Sequence, residues 1–209
     1  MNTLSSENKT ADAGGDSGGR RKPGARRLQI LQTLATMLED PKGEKVTTAA
    51  LAAKLAVSEA ALYRHFASKA QMFEGLIEFI ESTIFGLIND ISAKETSGLK
   101  QARRIVLMLL DFAQTNRGMT RVLIGDALVN EHERLQERMN QLLERIEASL
   151  KQSFRVAAGQ GELPPEFDPA ARANLVVSYV VGRWHRFAKT GFKRAPGDGA
   201  ESQLPALLT

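Results

Sequence analysis

Between Val46 and Phe73 the chain sets out two short helices, a tight turn between them and the start of a third, VTTAALAAKLAVSEAALYRHFASKAQMF. Thr47 or Thr48 can cap the first helix, because a threonine hydroxyl accepts an orphan backbone N–H at a helix start. Ala49, Leu51, Ala52 and Leu55 then follow the spacing of a short packed helix. The pattern breaks at Ala56 and Val57, and Ser58 can cap a second helix over residues 59–66. Val57, just before that helix, and Leu62 and Phe66 on it turn inward. Tyr63, Arg64 and His65 stay outside, where they can meet phosphates and base edges. Two short capped helices with this apolar pattern, flanked by cations, predict a helix-turn-helix.

The distribution of charge agrees with that reading. The whole chain carries 28 Lys and Arg against 24 Asp and Glu, a net charge of only +4. Residues 1–19 are net negative, and residues 70–209 balance to zero. All the excess positive charge therefore sits on residues 20–69, around the two short helices, which favours a polyanionic partner.

The 209 residues are enough for one domain or two small ones with a sizeable core. Residues 1–24 are polar and Gly-rich and are expected to form a disordered tail ending in cations. Arg20, Arg21, Lys22, Arg26 and Arg27 are either a solubilising run or an arm that touches phosphates or the minor groove. Residues 25–70 are read as the helix-turn-helix domain. Leu28, Leu31, Leu34, Ala35 and Leu38 give its first helix, from about Arg26 to Glu39, and Asp40-Pro41-Lys42-Gly43 a turn.

Residues 71–209 are read as a helical dimerisation and partner-binding domain. Ser68 and Gln71 form a capping box that opens a long amphipathic helix to about Ile91. Its apolar stripe is Met72, Phe73, Leu76, Ile77, Ile80, Ile84, Leu87, Ile88 and Ile91. Phe79 and Phe85 fall off this stripe, and each either packs on a neighbour or stands exposed as an anchor. Gln101–Thr115 is apolar nearly all round and predicts a central buried helix. Met119–Leu128 predicts another helix with Gly125 inside it. A long amphipathic helix runs from about Glu131 to Val156, with a charged outer face. Asp168-Pro169 starts a helix reaching about Lys189. That helix carries more apolar surface than one face requires, and Ser178 and Gly182 leave a notch for close approach. Tyr179, Gly182 and Trp184 are read as dimer-interface residues. The alternative is a helix buried within one chain. No segment reads as a strand.

Little points to catalysis. Cysteine is absent, which excludes disulfides and thiolate metal sites. His65, His132 and His185 lie in different elements with no partner at ligand spacing. The N-terminus lacks an apolar core for a signal peptide, and the longest apolar run is too short to span a bilayer. No cofactor, metal or membrane segment is expected, and the chain is not read as an enzyme.

The segment VSEAALYRHFASKAQMFEGLIEFIE resembles the DNA-binding signature of the TetR family of regulators. Within that family, the blocks RRLQILQTLATMLED, RRIVLMLLDFAQTNRGMTRVLIGDAL and ERLQERMNQLLERIEASLKQ resemble the nucleoid occlusion factors, over roughly residues 26–194. The resemblance implies an all-α, TetR-like fold, with a three-helix head and a C-terminal helical dimerisation domain. It implies a homodimer whose two reading helices enter successive major grooves of a pseudo-palindrome in double-stranded chromosomal DNA. Thr47, Thr48, Ser58, Tyr63 and Lys69 are the expected phosphate contacts, with Arg26 beside them. Ala60, Arg64 and His65 are the expected base contacts.

The same resemblance implies a second activity. While bound to DNA, such proteins antagonise polymers of FtsZ, the tubulin-like division protein, and keep the septum off the chromosome. The protein is then cytoplasmic and nucleoid-associated. Phe79, Met108 and Asn116 carry over as contacts for the FtsZ tail. Leu87, Asp111 and Thr115 depart from the family pattern of Arg, Gly and Arg. Ala56 departs too, where glycine is usual; a left-handed alanine costs roughly 1 kcal/mol, which the turn should survive. The alternative is a ligand-responsive TetR-type repressor, with Asp111, Tyr179 and Trp184 supplying the polar groups of an effector pocket.

Overall fold

The computed structural model describes residues 24–40 and 46–209. The basic run Arg20–Lys22 and most of the 40–43 turn lie outside the described residues. Among the described residues every regular element is helical. The head comprises α1 (Ala25–Met37), α2 (Thr48–Lys54) and α3 (Glu59–Tyr63). α1 buries Ile30, Leu31, Leu34 and Ala35. Leu28, assigned to this stripe from spacing, is 42% exposed, and Ile30 takes its place in the core.

Thr47 and Ser58 cap α2 and α3 by accepting the N–H groups of Ala50 and Ala61. Ala56 has φ +52°, so the turn between them adopts the left-handed conformation without glycine. α3 is shorter than its apolar pattern suggests and ends at Tyr63, with Arg64 as its C-cap.

The capping box at Ser68 opens α4 (Lys69–Lys94), although Gln71 reaches back to the N–H of Ala67. α4 belongs to both halves of the molecule: it packs on α1 at one end and on the bundle along the rest. Leu87, placed on its apolar stripe by spacing, is exposed.

The bundle contains α5 (Gly98–Thr115), α6 (Arg117–Leu123), α7 (Glu133–Gly159), α8 (Pro169–Lys189) and α9 (Ala200–Leu208). α5 is central, packing on α4 and on α6 to α9. It is not buried all round: Arg103, Arg104 and Asp111 are exposed along one edge. α6 stops short of the predicted Leu128. Gly125 takes φ +77° after Leu123 and Ile124, and a single 3₁₀ turn, Asp126–Leu128, follows. α9 was not anticipated, because Pro205 lies inside it and proline usually ends a helix. It forms because Ala200, Leu204 and Leu208, each four apart, bury one face against α5 and α8.

One interface residue requires correction. Trp184 is wholly buried within the chain, and its indole N–H donates to the carbonyl of Leu109 at 3.1 Å. The ring belongs to the α5–α8 core, where its one polar atom finds a partner. It therefore presents no surface to a second copy.

Candidate nucleic-acid and partner interfaces

α2 and α3 gather most of the residues assigned to DNA onto one small unit. Tyr63, Arg64 and His65 are exposed beside buried Leu62 and Phe66, so the packing of those two side chains turns the polar ones outward. Ala60 is exposed on the same short helix. Thr47 and Ser58 each use an oxygen lone pair on a capping bond, leaving a hydroxyl proton to offer a phosphate. Thr48 differs. Its hydroxyl donates to the Glu59 carboxylate at 2.6 Å, so a phosphate contact requires it to change partners. Glu59 was missed in the sequence because an acidic residue just after a serine cap is an ordinary helix start.

The flanking cations are held to different degrees. Arg26 donates to the Gln29 side chain at 2.8 Å. Arg27 lies 4.1 Å over the Phe66 ring and donates to the carbonyl of His65 at 3.1 Å. It thereby fixes the end of the reading unit to α1. Lys69 is bound across the molecule: its ammonium sits 2.5 Å from the Glu131 carboxylate, in a partly buried pair. A phosphate would have to compete with that carboxylate.

The residues assigned to the FtsZ tail fall on three elements. Phe79 is 37% exposed on α4 and lines a groove of about 330 Å³ against α1, with Arg27, Leu28 and Gly75. Spacing alone places Leu28 in the core, but the groove sets it beside Phe79 as a second exposed apolar side chain. Met108 is half-buried on α5. Asn116 joins α5 to α6, with its side-chain amide donating to the carbonyl of Phe112 at 2.8 Å. Neither Met108 nor Asn116 is among the residues lining the α1–α4 groove. Phe85, the other aromatic off the α4 stripe, is half-buried under the guanidinium of Arg145 at 3.8 Å.

On α8 the interface assignment divides. Leu175 is 51% exposed, and Ser178 and Gly182 are exposed on the same face. A side chain added at Gly182 would meet open space. Tyr179 turns instead toward α9: its hydroxyl donates to Gln203 at 2.8 Å, and Arg183 lies 4.9 Å from its ring. The residues proposed to line an effector pocket do not converge. Trp184 and Tyr179 are engaged as described, and Asp111 is exposed on α5, while Arg103 pairs with Glu201 and Arg104 lies 3.9 Å from Glu95. No described helix is long and apolar enough to cross a membrane.

Comparison with known proteins agrees with both halves. Residues 43–76 match the family of bacterial regulatory proteins of the tetR type, and residues 96–209 match the SlmA-like, tetracyclin repressor-like C-terminal domain. The nucleoid occlusion factor SlmA of Idiomarina loihiensis is 50% identical over 182 residues, covering 87% of this chain and 93% of that protein. That of Alteromonas mediterranea is 48% identical over the same shares. Among solved structures, the fatty acid degradation regulator FadR of Bacillus halodurans has a TM-score of 0.76 at 14% identity, covering 90% of this chain and 97% of its own. The TetR-family regulator PfmR of Thermus thermophilus has a TM-score of 0.71 at 21% identity, covering 86% and 97%. At such identities these two establish the fold alone. The half-identical relatives go further, and with the C-terminal match they place this chain in the SlmA family of nucleoid occlusion factors, on the fold of the TetR-type regulators.

Proposed function

We propose that the protein is a homodimeric, sequence-specific DNA-binding protein which, on chromosomal DNA, antagonises FtsZ assembly and so blocks septum formation over the nucleoid. The observation that carries the DNA half is the α2–α3 unit. Capped helix starts, outward Tyr63, Arg64 and His65, and a concentration of positive charge in the surrounding sequence all occur together there. Thr47, Ser58 and Tyr63 position the head on phosphates, and Arg64 reads a base edge. Ala60 and His65 lie against the same groove. Thr48 joins once released from Glu59, whereas Lys69 stays tied to Glu131 and is left out of the contact set.

Dimerisation uses the exposed α8 stripe of Leu175, Ser178 and Gly182. The support is an unpaired, small-residue face on a long helix that would pack closely against its own symmetry mate. For the partner, the support is the exposed aromatic Phe79 beside Leu28, on an element outside the reading helices. Met108 and Asn116, on α5 and at its C-terminal end, lie outside that groove and are further contacts on the family resemblance alone. The site of action on this reading is the cytoplasm, on the nucleoid.

FtsZ polymer sedimentation with this protein, with and without a selected duplex, tests the whole. DNA-dependent loss of pelleted polymer is expected. Phe79→Ala, with Asn116→Ala as a second variant, should lose that effect while keeping duplex affinity and melting temperature. Parallel loss of both activities together with the fold would sink the assignment of a separate partner surface.

A further inference from the structure

Three polar ties join the head to one short stretch of the bundle, residues 121–131. Arg121, on α6, is the hub. Its Nε donates to Asp126 at 2.7 Å, and its Nη1 reaches the carbonyls of Leu38 and Asp40 at 3.3 and 3.2 Å. Those carbonyls lie just past the C-terminal end of α1, and a guanidinium there satisfies groups that a helix end leaves over. The Arg121 side chain is only 12% exposed, so water competes weakly for its bonds to Asp126 and Leu38.

Asp126 is itself held from two sides, by Arg121 and by Lys189 of α8 at 3.2 Å. Burial raises its carboxyl, but the hydrogen bonds from Arg121 and Lys189 outweigh that and hold it below the ordinary aspartate value. The third tie is Glu131 to Lys69, at the start of α4. Arg121, Asp126, Glu131 and Lys69 surround one cleft of about 210 Å³, with Leu38 and Val46 of the head on its wall.

Next to these ties the backbones nearly touch. A Cβ at Gly118 would fall 1.9 Å from the carbonyl oxygen of Ala35, so α6 rests directly on the end of α1. Apolar packing of α1 on α4 holds the head to the bundle but can slide. Directed bonds from a fixed guanidinium to two backbone carbonyls do not tolerate sliding.

We infer that Arg121, supported by Glu131, is a positioning residue that sets the orientation of the head on the bundle, and through it the half-site spacing the dimer accepts. This rests on the proposed reading of a DNA-binding dimer. Two heads carried on a rigid bundle read two half-sites at one separation. A one-base-pair change in the spacer moves the second half-site by about 3.4 Å and rotates it about 34°. A stiffly mounted head cannot follow that displacement, and a loosened one can.

The test uses the full-length protein. Duplexes are selected from a random pool with the wild type, and the preferred site is then rebuilt with one base pair added to or removed from its centre. The wild type should discriminate sharply between spacers. Arg121→Gln and, separately, Glu131→Gln should lower the ratio of affinities for preferred over shifted sites by about tenfold, the scale of one charge-assisted hydrogen bond. Arg121→Lys, which retains the charge but not the forked reach, should restore little. A merely stabilising role would lower melting temperature and both affinities together, leaving the ratio intact. If Arg121→Gln fails to fold, Glu131→Gln decides alone. Unchanged spacer discrimination in folded variants overturns the inference but leaves the DNA reading standing. A wild type that selects no duplex overturns both.

Discussion

α3 and α8 were both read from sequence as helices that show side chains to a partner, and they differ in how well that reading holds. On α3 the named side chains, Ala60 and Tyr63, are exposed, as are Arg64 and His65 just beyond it. On α8 the named residues divide three ways: Gly182 is exposed, Tyr179 leans on α9, and Trp184 is in the core. A five-residue helix with one buried leucine has one inside, and apart from half-buried Ala61 the rest is outside. A 21-residue helix in a bundle has several neighbours, and its apolar residues do not say which neighbour each one meets. Surplus hydrophobicity on a long helix is therefore a sound sign of extensive burial and a poor guide to what covers it.

The largest effect should come from the buried half of α8. Trp184→Ala is expected to cost about 3–5 kcal/mol in a denaturant titration, because it leaves a cavity and removes the indole's bond to the Leu109 carbonyl. If the variant instead melted like wild type but sedimented as a monomer, the contrast drawn between the two sides of α8 would collapse.

The exposed half should behave in the opposite way. Gly182→Arg fills open space and improves helix propensity by about 1 kcal/mol, so chain stability should hold or rise. A bulky cation on a close-packed stripe should nevertheless dissociate the dimer, read by sedimentation equilibrium. An intact dimer would move the interface off this stripe.

On α3, Arg64→Ala should weaken specific duplex binding by about 1–3 kcal/mol and relax the preference at one base pair. Uniform weakening across sequences, with a shallower salt dependence, would make Arg64 a phosphate contact instead. The smallest expected change is at the turn that aims α3. Ala56→Gly should stabilise the protein by up to about 1 kcal/mol in thermal melting, since φ +52° burdens alanine and not glycine. A loss of stability would mean that the entropy glycine adds to the unfolded chain exceeds the strain it relieves.

Much of the head was legible in the residues themselves. The caps at Thr47, Ser58 and Ser68 lie where polar side chains precede apolar ones, and each accepts the predicted kind of N–H. The candidate partner surface was legible only in part. Periodicity separates Phe79 from the buried stripe of α4, but Leu28 reads equally well as core. Its exposure depends on where α4 crosses α1, and no local pattern encodes that crossing. The fate of Lys69 was likewise hidden, because Glu131 lies 62 residues away. α9 was masked by Pro205, whose local cost is outweighed by burying Ala200, Leu204 and Leu208.

By itself the sequence determined the helical class, the starts of α1 to α4 and of α8, the helix-turn-helix and the family, because caps, periodicity and motif act over a few residues. Only the tertiary structure decided which apolar side chains are inside, which cations are already paired, and how the head is mounted. Burial and ion pairing depend on distances between segments far apart in the chain, and packing alone fixes those.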